Sequence, residues 1–230
     1  EPVGVVLGTA LAQSQAWDVR KARDQRCPTT EVEVAGGRRS TAKTKKVSVA
    51  LEDPAEAILR RLRASIRHIP GALTGLDLFG DLQSELDASG RWKPPGGMAW
   101  IDNRWRTDPD PGCWASSFVL RMLSELISAD LQVWWANLYE DGSACCDFHK
   151  DGHRGQYNVT VSASFGATRD LTFLHTETGL EFSFRQENGD VFAFNDWVDG
   201  NFMHRVYPTM EVGPRISIIM MGRLRDWVGG

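Results

Sequence analysis

His149-Lys150-Asp151 sets an imidazole and a carboxylate two positions apart, and a second imidazole, His204, follows 53 positions after Asp151. Side chains two apart on a strand share a face, so His149 and Asp151 are predicted to grip one ion together. His204 is predicted to reach the same ion from a later strand on the facing sheet. Taken singly, Asp151-Gly152 reads as a turn, and His204 as a satisfied histidine ahead of the strand-breaking Tyr207-Pro208. Taken together, two imidazoles and one carboxylate fill one face of an octahedral metal and leave the opposite positions open. That donor set suits non-haem Fe(II) centres that activate O2.

An Fe(II) centre of this kind needs an electron source, and 2-oxoglutarate is the usual one. Its remote carboxylate calls for a guanidinium, because a planar fork holds a carboxylate through two parallel hydrogen bonds. Arg215, eleven residues after His204 and entering the last apolar strand, is the candidate. Asn137 and Tyr139 share one face of their own predicted strand and add neutral hydrogen bonds.

The elements that must position these groups are bounded by composition. A chain of 230 residues, 42% hydrophobic and 24% charged, fits one large β-rich domain with an extension, or two small domains. Nine tryptophans supply core or stacking surface. The net charge of -4 excludes a molecule that is basic throughout. Residues 1–70 nevertheless carry 13 Lys and Arg against 8 Asp and Glu, a net of +5, leaving -9 for the rest. Cys27, Cys113, Cys145 and Cys146 have no zinc-type spacing, and adjacent Cys145 and Cys146 point to opposite faces of a strand. Reduced thiols in a cytoplasmic or nuclear compartment follow as the expectation. No apolar run reaches the length of a membrane span, so no membrane is expected as a partner.

Along the chain, Gly36 to Lys46 is basic and polar; it reads either as a solvated loop or as an arm that neutralises phosphates through Lys43, Lys45 and Lys46. Asp53-Pro54-Ala55-Glu56 predicts a helix start, followed by Ile58, Leu59, Leu62 and Ile66 at helical spacing with arginines opposite. Leu76, Phe79, Leu82 and Leu86 predict a second helix, and Trp114 to Asp130 a third. From Leu131 the period becomes strand-like, with further runs at Tyr157–Phe165, Arg169–His175, Leu180–Phe184, Val191–Asn195 and Arg215–Met221. Helices first and then about eight strands predict an α+β, mainly β architecture: a jelly roll, or double-stranded β-helix, with N-terminal covering helices. The expected division is an extension over 1–68, with the basic loop and one amphipathic helix, and a catalytic domain over 69–230.

These segments resemble the AlkB family of Fe(II)/2-oxoglutarate dioxygenases over roughly residues 70–225. Asn137-Leu138-Tyr139-Glu140-Asp141-Gly142 resembles the family's Asn-x-Tyr-x-x-Gly strand, and His149-x-Asp151 its iron motif. Ser164-Phe165-Gly166-Ala167-Thr168-Arg169 resembles its Ser-x-Gly-Ala-x-Arg turn, His204 follows Gly189-Asp190-Val191 as the distal iron ligand, and Pro214-Arg215-Ile216-Ser217 resembles the final strand. The resemblance implies oxidative removal of N-linked alkyl groups, usually methyl, from nucleobases. It implies Fe(II), 2-oxoglutarate and O2 as requirements, with formaldehyde, succinate and carbon dioxide leaving. The partner so implied is single-stranded RNA or DNA with a methylated base, held unstacked in a pocket. Trp100 and Asp102 fall where the family carries a nucleotide-recognition lid; Trp100 reads as a base-contacting aromatic or, equally, as a core residue. Arg169 and His153 complete the implied substrate contacts. His153 stands where repair members often carry an acid, and Met221 where many carry a second arginine, for which Arg223 on the same strand face can substitute. Two other readings stand beside this one: a same-fold hydroxylase of a protein side chain or small molecule, and a non-catalytic nucleic-acid-binding module with a vestigial metal site.

Overall fold

The computed structural model describes residues 53–89, 112–210 and 212–225, together with the backbone of 99–103. The basic segment from Gly36 to Lys46 lies outside the described residues. Helix α1 (Pro54–Ala64) begins as its sequence dictates: Asp53 accepts a hydrogen bond from the Ala55 amide at 2.9 Å, and Pro54 occupies the first turn. The apolar stripe was expected to run on through Ile66. The helix instead stops at Ala64, and β1 (Ile66–Ile69) pairs antiparallel with β8 (Val191–Asn195). Ile66 and Ile69 fit either period, and a strand edge on β8 decides between them. The division expected at 68/69 therefore runs through an edge strand of the main sheet.

Helices α2 (Leu78–Ala88) and α3 (Trp114–Ile127) cover one face of that sheet. Leu78, Leu82 and Leu86 are buried, whereas Leu76, expected on the same stripe, precedes the helix and is 46% exposed. Cys113 makes no side-chain cap for α3; Glu85 of α2 does so from outside, accepting from the Ala115 and Ser116 amides at 2.7 and 3.0 Å. A carboxylate there pairs orphan amides and complements the positive end of the helix. The α3 helix was expected to reach Asp130. It ends three residues earlier, because Ser128 turns left-handed (φ 56°) and Ala129 already begins β3 (Ala129–Tyr139).

Ten strands form among the described residues, against about eight expected. The larger sheet adds β2 (Ala99–Asn103), β5 (Val159–Gly166) and β10 (Arg215–Leu224), in the order β1-β8-β5-β10-β3-β2. The smaller sheet holds β4 (Cys146–His149), β6 (Arg169–His175), β7 (Glu181–Gln186) and β9 (Phe202–Val206), in the order β4-β9-β6-β7. A short helix α4 (Asp196–Asn201) joins β8 to β9. Every pairing is antiparallel. The expected jelly roll with helices on one face is what the chain forms.

Alternation along β5 and β10 sorts residues to two faces. Val159, Val161, Ala163 and Phe165, with Ile216, Ile218 and Met220, pack on the α2 and α3 side. The alternate residues Thr160, Ser162, Ser164, Arg215 and Ser217 point between the sheets, where one end is closed by a phenylalanine cluster. Phe173 is its hub, edge-on to Phe184 at 5.7 Å and to Phe194 at 5.5 Å. Each buried ring contributes roughly 1.5–3 kcal/mol of transfer free energy, enough to fix the sheets around the cavity.

Candidate active site

His149, Asp151 and His204 meet between the sheets, their ligand atoms all within 4.8 Å of one another. Asp151 Oδ1 lies 3.7 Å from Nε2 of each histidine, and the two rings are 4.3 Å apart between centroids. The route by which they meet differs from the expected one. His204 does not come from the facing sheet; β4 and β9 are neighbours in the smaller sheet, and His149 stands directly opposite His204 in their register. Nor do His149 and Asp151 share a strand, because β4 ends at His149 and Asp151 lies in the loop beyond it.

His149 Nδ1 donates to the Asp147 carbonyl at 2.7 Å, which turns Nε2 toward Asp151. Burial lowers the His149 pKa, but Cys146, the Asp147 carbonyl and Asp151 outweigh it and lift it to about 9. His204, enclosed by Phe173 and Phe194, is pulled down to about 4, first by burial. A deep neutral imidazole, an outer imidazole and a carboxylate form a set that suits a first-row divalent metal with positions left open.

The cavity continues from these three residues to Arg215, with about 510 Å³ of free space counting its mouth. Arg215 is 4% exposed; its Nε donates to the Ser164 hydroxyl at 2.7 Å, while Nη1 is buried with no partner. A buried guanidinium with an unused N–H group is a receptor for a carboxylate, since leaving that donor unpaired costs about 1–3 kcal/mol. Tyr139 stands opposite Arg215 in the sheet, its ring centre 5.1 Å from the guanidinium carbon. Burial pushes the Tyr139 hydroxyl up to about 12, so it is a neutral donor, and Asn137 hydrogen-bonds to it. Asn137, Tyr139 and Arg215 all line the cavity, as their strand spacing predicts. The sharp corner after Ser164 is also fixed: Gly166 has φ +87°, and a Cβ there would stand 2.4 Å from the Pro214 carbonyl.

Of the remaining sequence-predicted residues, Arg223, Arg169 and His153 do not line this cavity. Arg223 is exposed and donates to the Gly155 and Gln156 carbonyls; a register shift between Met221 and Gly222 breaks the even spacing from Arg215 on which its placement rested. Arg169 is 3% exposed and its guanidinium donates to the carbonyls of Asp141, Ala144 and Tyr207, stitching the β3–β4 loop to the end of β9. His153 is buried, stacked on Phe194, with Nε2 2.8 Å from the Thr160 hydroxyl. Burial lowers its pKa against the opposing pull of Asp199 and Asp151. Trp100 and Asp102 belong to β2, opposite Asn137 and Trp135 of β3 in register.

Three residues to which the sequence assigned no site role support the site. Ser164 holds Arg215, Thr160 donates to Asp151 Oδ2 at 2.9 Å, and Asp199 accepts from the Asp151, Gly152 and His153 amides at 2.9, 3.2 and 3.0 Å. For Thr160 and Ser164 a signal existed: small hydroxyl residues alternate with Val159, Val161, Ala163 and Phe165, marking a strand with a polar inner face. Asp199 left none, as it acts across 48 positions.

No protein-family model matches this chain, and no curated protein does. Among solved structures it is similar to that of OsALKBH1, at 14% identity and a TM-score of 0.53, covering 68% of this chain and 97% of that one. It is similar also to a prolyl hydroxylase from Trichoplax adhaerens solved in complex with a hypoxia inducible factor peptide fragment, at 15% identity and a TM-score of 0.54, covering 73% and 88%. At these identities the likeness is one of fold: this chain shares the jelly roll of both structures.

Proposed function

We propose that this chain is an Fe(II)- and 2-oxoglutarate-dependent dioxygenase that removes N-linked alkyl groups, usually methyl, from nucleobases in single-stranded RNA or DNA. The observation that carries the dioxygenase reading is one cavity with two complementary ends: His149, Asp151 and His204 at one, and the buried Arg215 with its unpaired Nη1 at the other. His149, Asp151 and His204 would hold Fe(II) through two imidazole nitrogens and one carboxylate oxygen. Arg215 would take the remote carboxylate of 2-oxoglutarate, and the neutral Tyr139 hydroxyl would donate beside it. When bound, Fe(II) with 2-oxoglutarate supplies the O2 activation that oxidises a substrate C–H bond, with succinate and carbon dioxide as by-products. The chain's own contribution is orientation and dryness: Tyr139 and Arg215 are 2% and 4% exposed, so water competes weakly for the anion.

The nucleobase reading draws on the AlkB-like order of motifs, on the likeness to OsALKBH1, and on β2, which runs beside the Asn137–Tyr139 strand. A second reading, hydroxylation of a protein side chain, draws on the likeness to a prolyl hydroxylase and on the acidic balance of residues 71–230. A vestigial site is opposed by the full donor set.

Purified protein given Fe(II), ascorbate and 2-oxoglutarate is expected to form succinate slowly without substrate, and Asp151→Ala to form none. Methylated single-stranded RNA and DNA oligonucleotides are expected to stimulate turnover with release of formaldehyde. If proline-containing peptides stimulate it and oligonucleotides do not, the second reading replaces the first. No succinate from metal-loaded protein would sink both.

A further inference from the structure

The two oxygens of Asp151 have different surroundings. Oδ1 faces both histidine Nε2 atoms at 3.7 Å, while Oδ2 accepts from the Thr160 hydroxyl at 2.9 Å. That hydroxyl has a single proton, committed to Asp151, so at its second contact, His153 Nε2 at 2.8 Å, it must accept. His153 therefore keeps its proton on Nε2, and its Nδ1 is left buried without a partner. The ring lies nearly parallel to Phe194, at 10° and 6.1 Å between centroids, which fixes the direction of its N–H. The backbone of the same loop is gathered by Asp199 of α4, which accepts from three successive amides, and Lys150 donates to the Gly200 carbonyl of that helix.

We propose that Thr160, aimed by His153, and Asp199 are positioning residues that hold Asp151 as a one-oxygen metal ligand. The assignment rests on the metal centre proposed above and goes beyond it. A carboxylate in a loop past the end of its strand is free to rotate and to close on a metal through both oxygens, which would fill a position that a cosubstrate or O2 needs. The Thr160 hydroxyl engages Oδ2 and leaves Oδ1 toward the histidines. Asp199 keeps the loop backbone from drifting while it does so. Hydrogen-bond partners of metal ligands act in this way generally, fixing orientation and basicity.

The test uses the full chain, freed of metal, and Co(II) as the probe, read by calorimetry and by the visible Co(II) spectrum, with thermal unfolding of each metal-free protein alongside. Thr160→Val is expected to weaken Co(II) binding about 10–100-fold, the usual loss when a ligand's partner is removed, and to shift the spectrum as coordination changes. Its metal-free melting temperature is expected to fall somewhat, since the His153 Nε2–H loses its acceptor, yet to stay well above the assay temperature, and Thr160→Ser is expected to restore most of the affinity. Asp199→Asn, which puts a donor where an amide needs an acceptor, is expected to weaken binding about tenfold. Wild-type affinity and spectrum in Thr160→Val overturn the assignment. So does a fall in its metal-free melting temperature large enough to account for the lost affinity, or an equal loss in Thr160→Ser. Wild-type protein that binds no Co(II) overturns the metal centre together with it.

Discussion

The two ends of the cavity are built by different means. At the Arg215 end, strand register does the placing: Arg215 stands opposite Tyr139 on one side and Gly166 on the other, and Ser217 opposite Asn137 and Ser164. Ladder hydrogen bonds set those pairs, so the side chains arrive together whatever each one is. At the metal end, only His149 and His204 are a register pair. Asp151 depends on Thr160, nine positions away, and on Asp199, 48 positions away. The ends also differ in wetness, for Arg215 is 4% exposed whereas the His149 side chain is 42% exposed. An end set by backbone ladders should lose function one contact at a time. An end set by a chain of side-chain bonds should fail as a unit.

Two substitutions separate the ends. Asp151→Ala has the largest expected effect: Co(II) affinity falls by at least about 100-fold, since loss of a direct ligand exceeds the 10–100-fold typical of an outer partner. Its fold is expected to persist, with a far-ultraviolet circular dichroism spectrum like that of the wild type. Arg215→Met ranks next. It should leave Co(II) binding intact and weaken 2-oxoglutarate about 10–100-fold, matching the roughly 1.5–3 kcal/mol of a hydrogen bond to a charged group. Calorimetry of the Co(II)-loaded protein measures both. If Arg215→Met also loses Co(II), the two ends are not separable and the contrast between them fails.

The same contrast explains what was legible in the sequence. Asn137, Tyr139 and Arg215 were found because an alternating strand announces its two faces locally. His149, Asp151 and His204 were found by residue type and order, yet their placement was misjudged, since the spacing of two looks alike on a strand and across a strand end. Alternation sets Thr160 on the inner face without naming the group it meets, and Asp199 acts through contacts that no local period encodes. The misread helix ends have a similar cause: Ile66 satisfies a helical spacing and a strand equally, and Ser128 gives no sign that it will turn left-handed. Arg223 failed for a backbone reason, because a bulge after Met221 changes which residues share a face. Where a position depends on periodicity alone the sequence was sufficient; where it depends on one irregular residue or a remote carboxylate it was not.

The smallest expected effect tests the dry end most closely. Tyr139→Phe removes a hydroxyl and keeps the ring beside the Arg215 guanidinium, so 2-oxoglutarate should weaken only about 2–10-fold, on the scale of roughly 0.5–1.5 kcal/mol for a neutral hydrogen bond. Its pH dependence is the sharper measurement. Burial raises the folded-state pKa of Tyr139 to about 12, above the ordinary value of 10.0, so the hydroxyl stays protonated, and able to donate, as pH rises through the range where an exposed tyrosine ionises. The same sign makes the neutral phenol a stabilising group below pH 10, a contribution lost only as pH climbs through about 12. Wild-type affinity for 2-oxoglutarate should therefore stay level from about pH 7 to 10, with the difference from Tyr139→Phe unchanged. A wild-type affinity that drops near pH 10, while that of Tyr139→Phe does not, would mean that the phenol ionises as if in water, and the Arg215 end would then be as wet as the metal end.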